Sequence, residues 1–148
     1  MNACCCCDSF SQPVYGSLFG DPMVFTAAAN NTNLNFITAG PTNGMIANPA
    51  NNSITVNIFG VYEITFSLTN QIVAIGSSQY SIFFNNTTNI TTSNIFFQAN
   101  VVLLTTRAPG EKTILTTLNP NDVITVRPTA VVGTNSYGNP TLIVTKVF

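Results

Sequence analysis

Large apolar side chains recur at every second position from Tyr62 to Leu68, with Ile64 and Phe66 between them, while Glu63, Thr65 and Ser67 occupy the alternate positions. Period two is the spacing of a pleated strand that lays one face on a core, and Gly60 marks its start. Similar short runs follow one another along the chain: Ser53 to Ile58, Ile72 to Ile75, Tyr80 to Phe84, Ile95 to Leu103, Thr113 to Leu118, Val123 to Arg127 and Thr141 to Phe148. Breaks are expected at Gly76-Ser77-Ser78, Pro109-Gly110-Glu111-Lys112, Asn119-Pro120-Asn121-Asp122 and Tyr137-Gly138-Asn139-Pro140, where turn-forming residues cluster. Upstream, Phe10, Val14, Tyr15, Leu18 and Phe19 lead from the arm into a first strand punctuated by Gly16, Gly20 and Pro22, a second is expected at Met23-Val24-Phe25-Thr26, and a long Asn/Thr/Gly/Pro-rich loop between Ala27 and Asn52 holds two small strands. No stretch carries a convincing helical period. Eight to ten short strands with frequent turns predict an all-β sandwich of Greek-key or jelly-roll type. Because the chain finishes on an apolar strand, Phe148 is expected to be buried centrally.

What the chain can do is narrowed by charge. Nine of 148 residues are charged, 6%, against about 25% in an ordinary soluble protein. Polarity comes from roughly twenty Asn and as many Thr, which satisfy backbone groups without setting up repulsion between copies. With a net charge of −1, little opposes self-association, and an assembly is expected. Four Lys and Arg make neither a nucleic-acid surface nor an anionic-membrane surface. No apolar run approaches the ~18 residues of a membrane span, and the start has neither the basic nor the apolar region of a secretory signal.

Histidine is absent, which removes the imidazole base, and no phosphate loop, dinucleotide turn or nucleophile elbow occurs. Asp8, Asp21, Glu111 and Asp122 sit on the arm or beside turns. Glu63 is the exception, a candidate structural partner for Arg127 or Lys146. No catalytic residue, cofactor or metal site is expected.

Residues 1–12 differ from the body at 13–148 by the run Cys4-Cys5-Cys6-Cys7. Neighbouring cysteines in extended chain point alternately, and a bond between adjacent residues is strained. The body has no other cysteine, so a disulfide requires another arm or another protein. Four consecutive thiols lack the spacing that wraps a zinc ion. Palmitoylation and an idle arm stand as other readings. Phe10, Val14 and Tyr15 are either plugs that dock an arm or ordinary first-strand core residues.

The strand Gly60-Val61-Tyr62-Glu63-Ile64-Thr65-Phe66 resembles the G-x-Y-x-F-type strand of the C1q/tumour-necrosis-factor superfamily. The segment Leu118-Asn119-Pro120-Asn121-Asp122-Val123-Ile124-Thr125-Val126 resembles its L-x-x-G-D-x-I-x-L strand, with Asn121 in place of the usual glycine. Together with Tyr15-Gly16-Ser17-Leu18-Phe19 and the run from Thr141 to Phe148, the pattern is similar to the C-terminal domains of collagen-like glycoproteins on Bacillus spore exosporia. The cysteine-rich arm stands where those proteins have a collagen stalk, and it resembles the N-terminal connectors of endospore appendage subunits. The resemblance implies a C1q/TNF-like jelly roll that forms a homotrimer, with the sheet of the first, the 60–69 and the last strands facing the axis. Tyr62, Ile64, Phe66, Leu142, Val144 and Phe148 are then the trimer interface and core. It further implies a structural fibre subunit of the spore surface, reached after mother-cell lysis, whose trimers stack through the arms. Its partners would be itself, an anchor protein and a tip protein. The alternative is a trimeric adhesive tip or exosporium module anchored through the cysteines. Discrete trimers, rather than filaments, would mark that alternative.

Overall fold

The computed structural model describes residues 12–148, so the expectations for Cys4 to Cys7 and Phe10 lie outside the described residues. Among the described residues nine strands account for most of the chain: β1 (Tyr15–Phe19), β2 (Thr26–Ala27), β3 (Thr38–Ala39), β4 (Met45–Asn48), β5 (Ser53–Val56), β6 (Gly60–Phe84), β7 (Thr88–Ala99), β8 (Thr105–Leu118) and β9 (Val123–Lys146). A single 3₁₀ turn, Pro49–Asn51, is capped by the Asn48 side chain and closed by Asn52 in the left-handed region.

The organising element is a ribbon of β6 and β9, which pair antiparallel from Tyr62↔Lys146 to Phe84↔Ile124. Asn70 and Tyr80 are ten residues apart on β6, about 33 Å in a straight strand, yet the Tyr80 hydroxyl donates to Asn70 Oδ1 at 2.7 Å. The ribbon must therefore fold over between them. The fold falls at a register shift between Val73 and Ser77, where Ala74 has φ +62 and Gly133, on the partner strand, has φ +76. A Cβ at Gly133 would stand 2.6 Å from the Ile75 carbonyl oxygen, so the close approach of the two strands at this corner needs glycine.

Folding over gives each long strand a half in both layers of a sandwich. In the first layer β9 lies between β1 (Ser17↔Ile143) and β6 (Thr65↔Ile143), and β6 pairs onward to β8 (Thr65↔Thr113). In the second, β5 flanks the early part of β9 with β4 paired beyond it, and β7 flanks the late part of β6. The layers meet through Leu18, Tyr62, Ile64, Phe66, Ile82, Val126, Leu142 and Val144, all buried. Tyr80 packs edge-on against Phe97 and Tyr137, with ring centroids 5.9 and 6.3 Å apart.

Several expected boundaries move, for identifiable reasons. Pro109-Gly110 is no turn: it lies inside β8, opposite Thr69 and Leu68. Because β8 pairs with β6 alone, a proline there leaves no ladder bond unmade. The break at residues 76–78 is the corner of the ribbon, and the chain remains in β6 through it. Residues 137–140 form a bulge within β9, where Ser67↔Thr141 gives way to Thr69↔Gly138 and Asn139 has φ +49. The strand expected at 23–26 shrinks to Thr26–Ala27, with Met23 86% exposed. The strand expected through Leu103 stops at Ala99.

Asparagine has a role beyond surface polarity. Among the described residues, six of the eight non-glycine positions with left-handed backbone are Asn: 31, 52, 85, 86, 121 and 139. Asn tolerates that region better than other side chains, so it supplies turns that would otherwise call for glycine. Asn121, at φ +74, is one of them.

Candidate functional site

The residues singled out in the sequence divide into those the chain has already used and those it leaves outward. Tyr62, Ile64, Phe66, Leu142 and Val144 are each 0% exposed. Their side chains fill the interior of one subunit and cannot reach a second. Val14 is 5% exposed and its carbonyl accepts from the Lys146 N–H at 2.8 Å, so it is not free to plug a neighbour. Tyr15 opens β1, held by paired backbone bonds to Asn43 at 2.9 and 2.8 Å.

Phe148 corrects the expectation of central burial, because its side chain is 82% exposed. The backbone there is held, with the Val61 N–H donating to the Phe148 carbonyl at 2.9 Å. The Val147 N–H donates in turn to the Val61 carbonyl at 2.8 Å, so the backbone stays paired to the first residues of β6 while the side chain lies beyond Val144, the last residue of β9 that is fully buried.

Glu63 meets neither expected cation. It lies across from Thr145 on β9 and Leu115 on β8, whereas Arg127 donates to Asn33 Oδ1 at 2.6 Å and to Asn86 Oδ1 at 2.6 Å. The guanidinium also sits 4.9 Å from the Phe83 ring centroid, and burial lowers its pKa. Arg127 thus staples the 31–33 and 85–86 turns.

The outward face of the first layer carries Glu63, Thr65, Ser67, Ile143 and Thr145, with Ile143 41% exposed and Leu115 beside them at 65%. Thr65 and Thr113 hydroxyls are 2.7 Å apart on that face, a neutral cross-strand contact beside Ile143, with Glu63 and Glu111 to either side.

Two further outward regions were missed by the alternation. At one pole, the loop between β7 and β8 exposes Val101, Val102, Leu103 and Leu104 at 50–91%. The ribbon corner adds Val73, Ile75 and Val132, drawn to the loop by the Ala74 N–H donating to the Leu104 carbonyl at 2.9 Å. Asn100, a strand-disfavouring residue between two apolar runs, was the one signal that this segment leaves the sheet. At the other pole, Ile58, Phe59, Val147 and Phe148 are exposed, and a hollow of about 440 Å³ is lined by Gln12, Pro13, Val14, Lys146, Val147 and Phe148.

Nothing in this arrangement assembles a reaction centre among the described residues. No three His, Cys, Asp or Glu side chains cluster there to hold a metal ion. The buried hydroxyls serve packing: the Tyr62 hydroxyl donates to the Ile58 carbonyl and the Tyr137 hydroxyl accepts from the Asn35 N–H. Burial pushes the Tyr62, Tyr80 and Tyr137 phenols upward, Tyr80 farthest, because the charged form is disfavoured away from water. Among the described residues, no helix is long and apolar enough to cross a membrane.

No protein-family model matches the chain, and no curated protein matches it. Solved structures do. An Eiger TNF from S. frugiperda superimposes with a TM-score of 0.73 at 10% identity, covering 92% of this chain and 93% of that one. The globular domain of zebrafish complement 1qA superimposes with a TM-score of 0.64 at 12% identity, covering 93% of this chain and 98% of that domain. The chain has the jelly-roll sandwich fold of the TNF and C1q globular domains.

Proposed function

We propose that this chain is a structural subunit: a body that forms homotrimers, which stack head to tail into a fibre on the spore surface, with the N-terminal arms joining successive trimers and Cys4 to Cys7 cross-linking them. The observation that carries this reading is a mismatch. The core is complete within one chain, yet the surface exposes large apolar side chains at both poles and along the first layer, with only nine charges in the whole sequence to oppose contact. Apolar surface on that scale marks protein–protein contact. The faces turned to the trimer axis are then Glu63, Thr65, Ser67, Ile143 and Thr145, and the arm leaves from Gln12 at the base. With no cluster of reactive groups among the described residues, the reading is non-enzymatic. The likeness to TNF and C1q domains supports a self-associating module; the spore setting, an anchor protein and a tip protein rest on the sequence resemblance.

Electron microscopy of the purified protein tests the proposal. Long unbranched filaments support it, and reducing agent is expected to weaken them. Removing residues 2–12 is expected to leave trimers that do not polymerise. Discrete trimers from the intact chain would instead favour the adhesive tip or anchored module.

A further inference from the structure

We propose that successive copies also meet through their bodies, the apolar loop at residues 101–104 of one copy seating in the hollow beneath Phe148 of the next. This rests on the self-assembly reading above and adds a contact that the arms do not supply.

The two surfaces lie at opposite poles. β8 runs between them, from Thr105 beside the loop to Leu118 opposite Gly60 at the base, fourteen residues or about 46 Å of strand. A copy therefore cannot cover its own loop with its own base. The shapes are complementary in kind. The loop is a protrusion, with Leu103 91% exposed and Val102 61%. The base is concave, a hollow of about 440 Å³ walled by Pro13, Val147, Phe148 and Lys146, with Phe59 exposed beside it. Neither surface carries a like charge against the other, because residues 101–104 are uncharged and Lys146 is the cation at the base.

The backbone strengthens the case. Leu103 has φ +72, a conformation costly for a bulky side chain. Among the described residues nothing offsets that cost by covering the side chain, which is 91% exposed. Seated in a neighbour's hollow, the same side chain would be covered. A contact between two different patches is heterologous and does not close on itself, so it extends a file of copies.

The absence of body cysteines makes the contact directly testable in the full chain with Cys4, Cys5, Cys6 and Cys7 all changed to Ser. Adding Leu103→Cys and Phe148→Cys together, then oxidising with copper–phenanthroline in air, is expected to give a ladder of covalent multimers on denaturing gels. Either cysteine alone is expected to stay monomeric, because the contact sets residue 103 of one copy against residue 148 of the next. A double variant that gives no ladder, or single variants that dimerise as readily as the double variant cross-links, overturn the proposal. In the otherwise natural chain, Leu103→Asn suits the left-handed backbone, so thermal unfolding should be unchanged while sedimented filament falls about tenfold, a loss Leu103→Met should not show. Filaments of Leu103→Asn equal to those of the natural chain would overturn the pole contact and leave the fibre reading intact. Should the natural chain form no filaments, the fibre reading fails, and the ladder still decides the pole contact at high protein concentration. Binding to phosphatidylcholine vesicles that depends on Leu103, with no ladder, would assign the loop to lipid and overturn the proposal.

Discussion

The inward side of the β6–β9 ribbon and the two poles of the molecule use the same kinds of residue and meet opposite fates. Ile64, Phe66 and Val144 on the ribbon are fully buried, while Val102, Leu103 and Phe148 at the poles are exposed by 61%, 91% and 82%. The difference is positional. Strand alternation directs every second side chain into the gap between layers, but a corner or a chain end has no opposite layer to receive one. Apolar residues in the ribbon therefore hold the subunit together, and apolar residues at the poles are available to hold subunits to one another.

Substitutions can break that comparison or sharpen it. Phe66→Ala, in the ribbon interior, should cost about 3–5 kcal/mol of folding stability, read by chemical denaturation. Gly133→Val should cost about 1–3 kcal/mol from left-handed backbone strain alone, and more once the contact with the Ile75 carbonyl is included; thermal unfolding would show it. Tyr80→Phe leaves the Asn70 amide oxygen without its donor, and the Asn70 Nδ2 already has no partner in the protein. A loss of about 1–3 kcal/mol is expected.

The same phenols set an alkaline limit. Tyr62, Tyr80 and Tyr137 have raised pKa values in the fold. The unfolded chain therefore loses these protons first, and their contribution is complete below the unfolded value of about 10 and is lost as pH rises above it. Denaturation midpoints measured from pH 8 to 12 should fall only in the upper part of that range, and Tyr80→Phe should flatten the fall. At the small end, Asn121→Gly should change stability by about 0.5 kcal/mol or less, since both residues accept the left-handed conformation. An equal effect of Asn121→Val would show that the conformation there is not what selects Asn.

Much of the fold was legible because burial and alternation coincide along the ribbon. Tyr62, Ile64, Phe66 and Leu68 follow one another at period two and all face inward. Where turn-forming residues sit inside a strand, local chemistry misleads. Pro109 lies on an edge strand that needs no donor, and Asn139-Pro140 makes a bulge within β9, so neither pair ends its strand. The candidate contact surfaces were less legible. The run from Ile95 to Leu103 reads as strand with Asn100 as its one interruption, yet the chain leaves the sheet after Ala99. The corner formed by Ala74 and Gly133, distant in sequence, holds the loop at the pole through the Ala74 N–H and the Leu104 carbonyl, where residues 101–104 are exposed. Exposure of Phe148 follows from the same geometry at the other end.

The most direct test of the central claim is the solution mass of the body lacking residues 2–12, measured by light scattering after size-exclusion chromatography at several concentrations. A particle of three chains that persists on dilution is predicted. A particle of one chain across the range would contradict the claim that this apolar, nearly uncharged surface is covered by copies of itself.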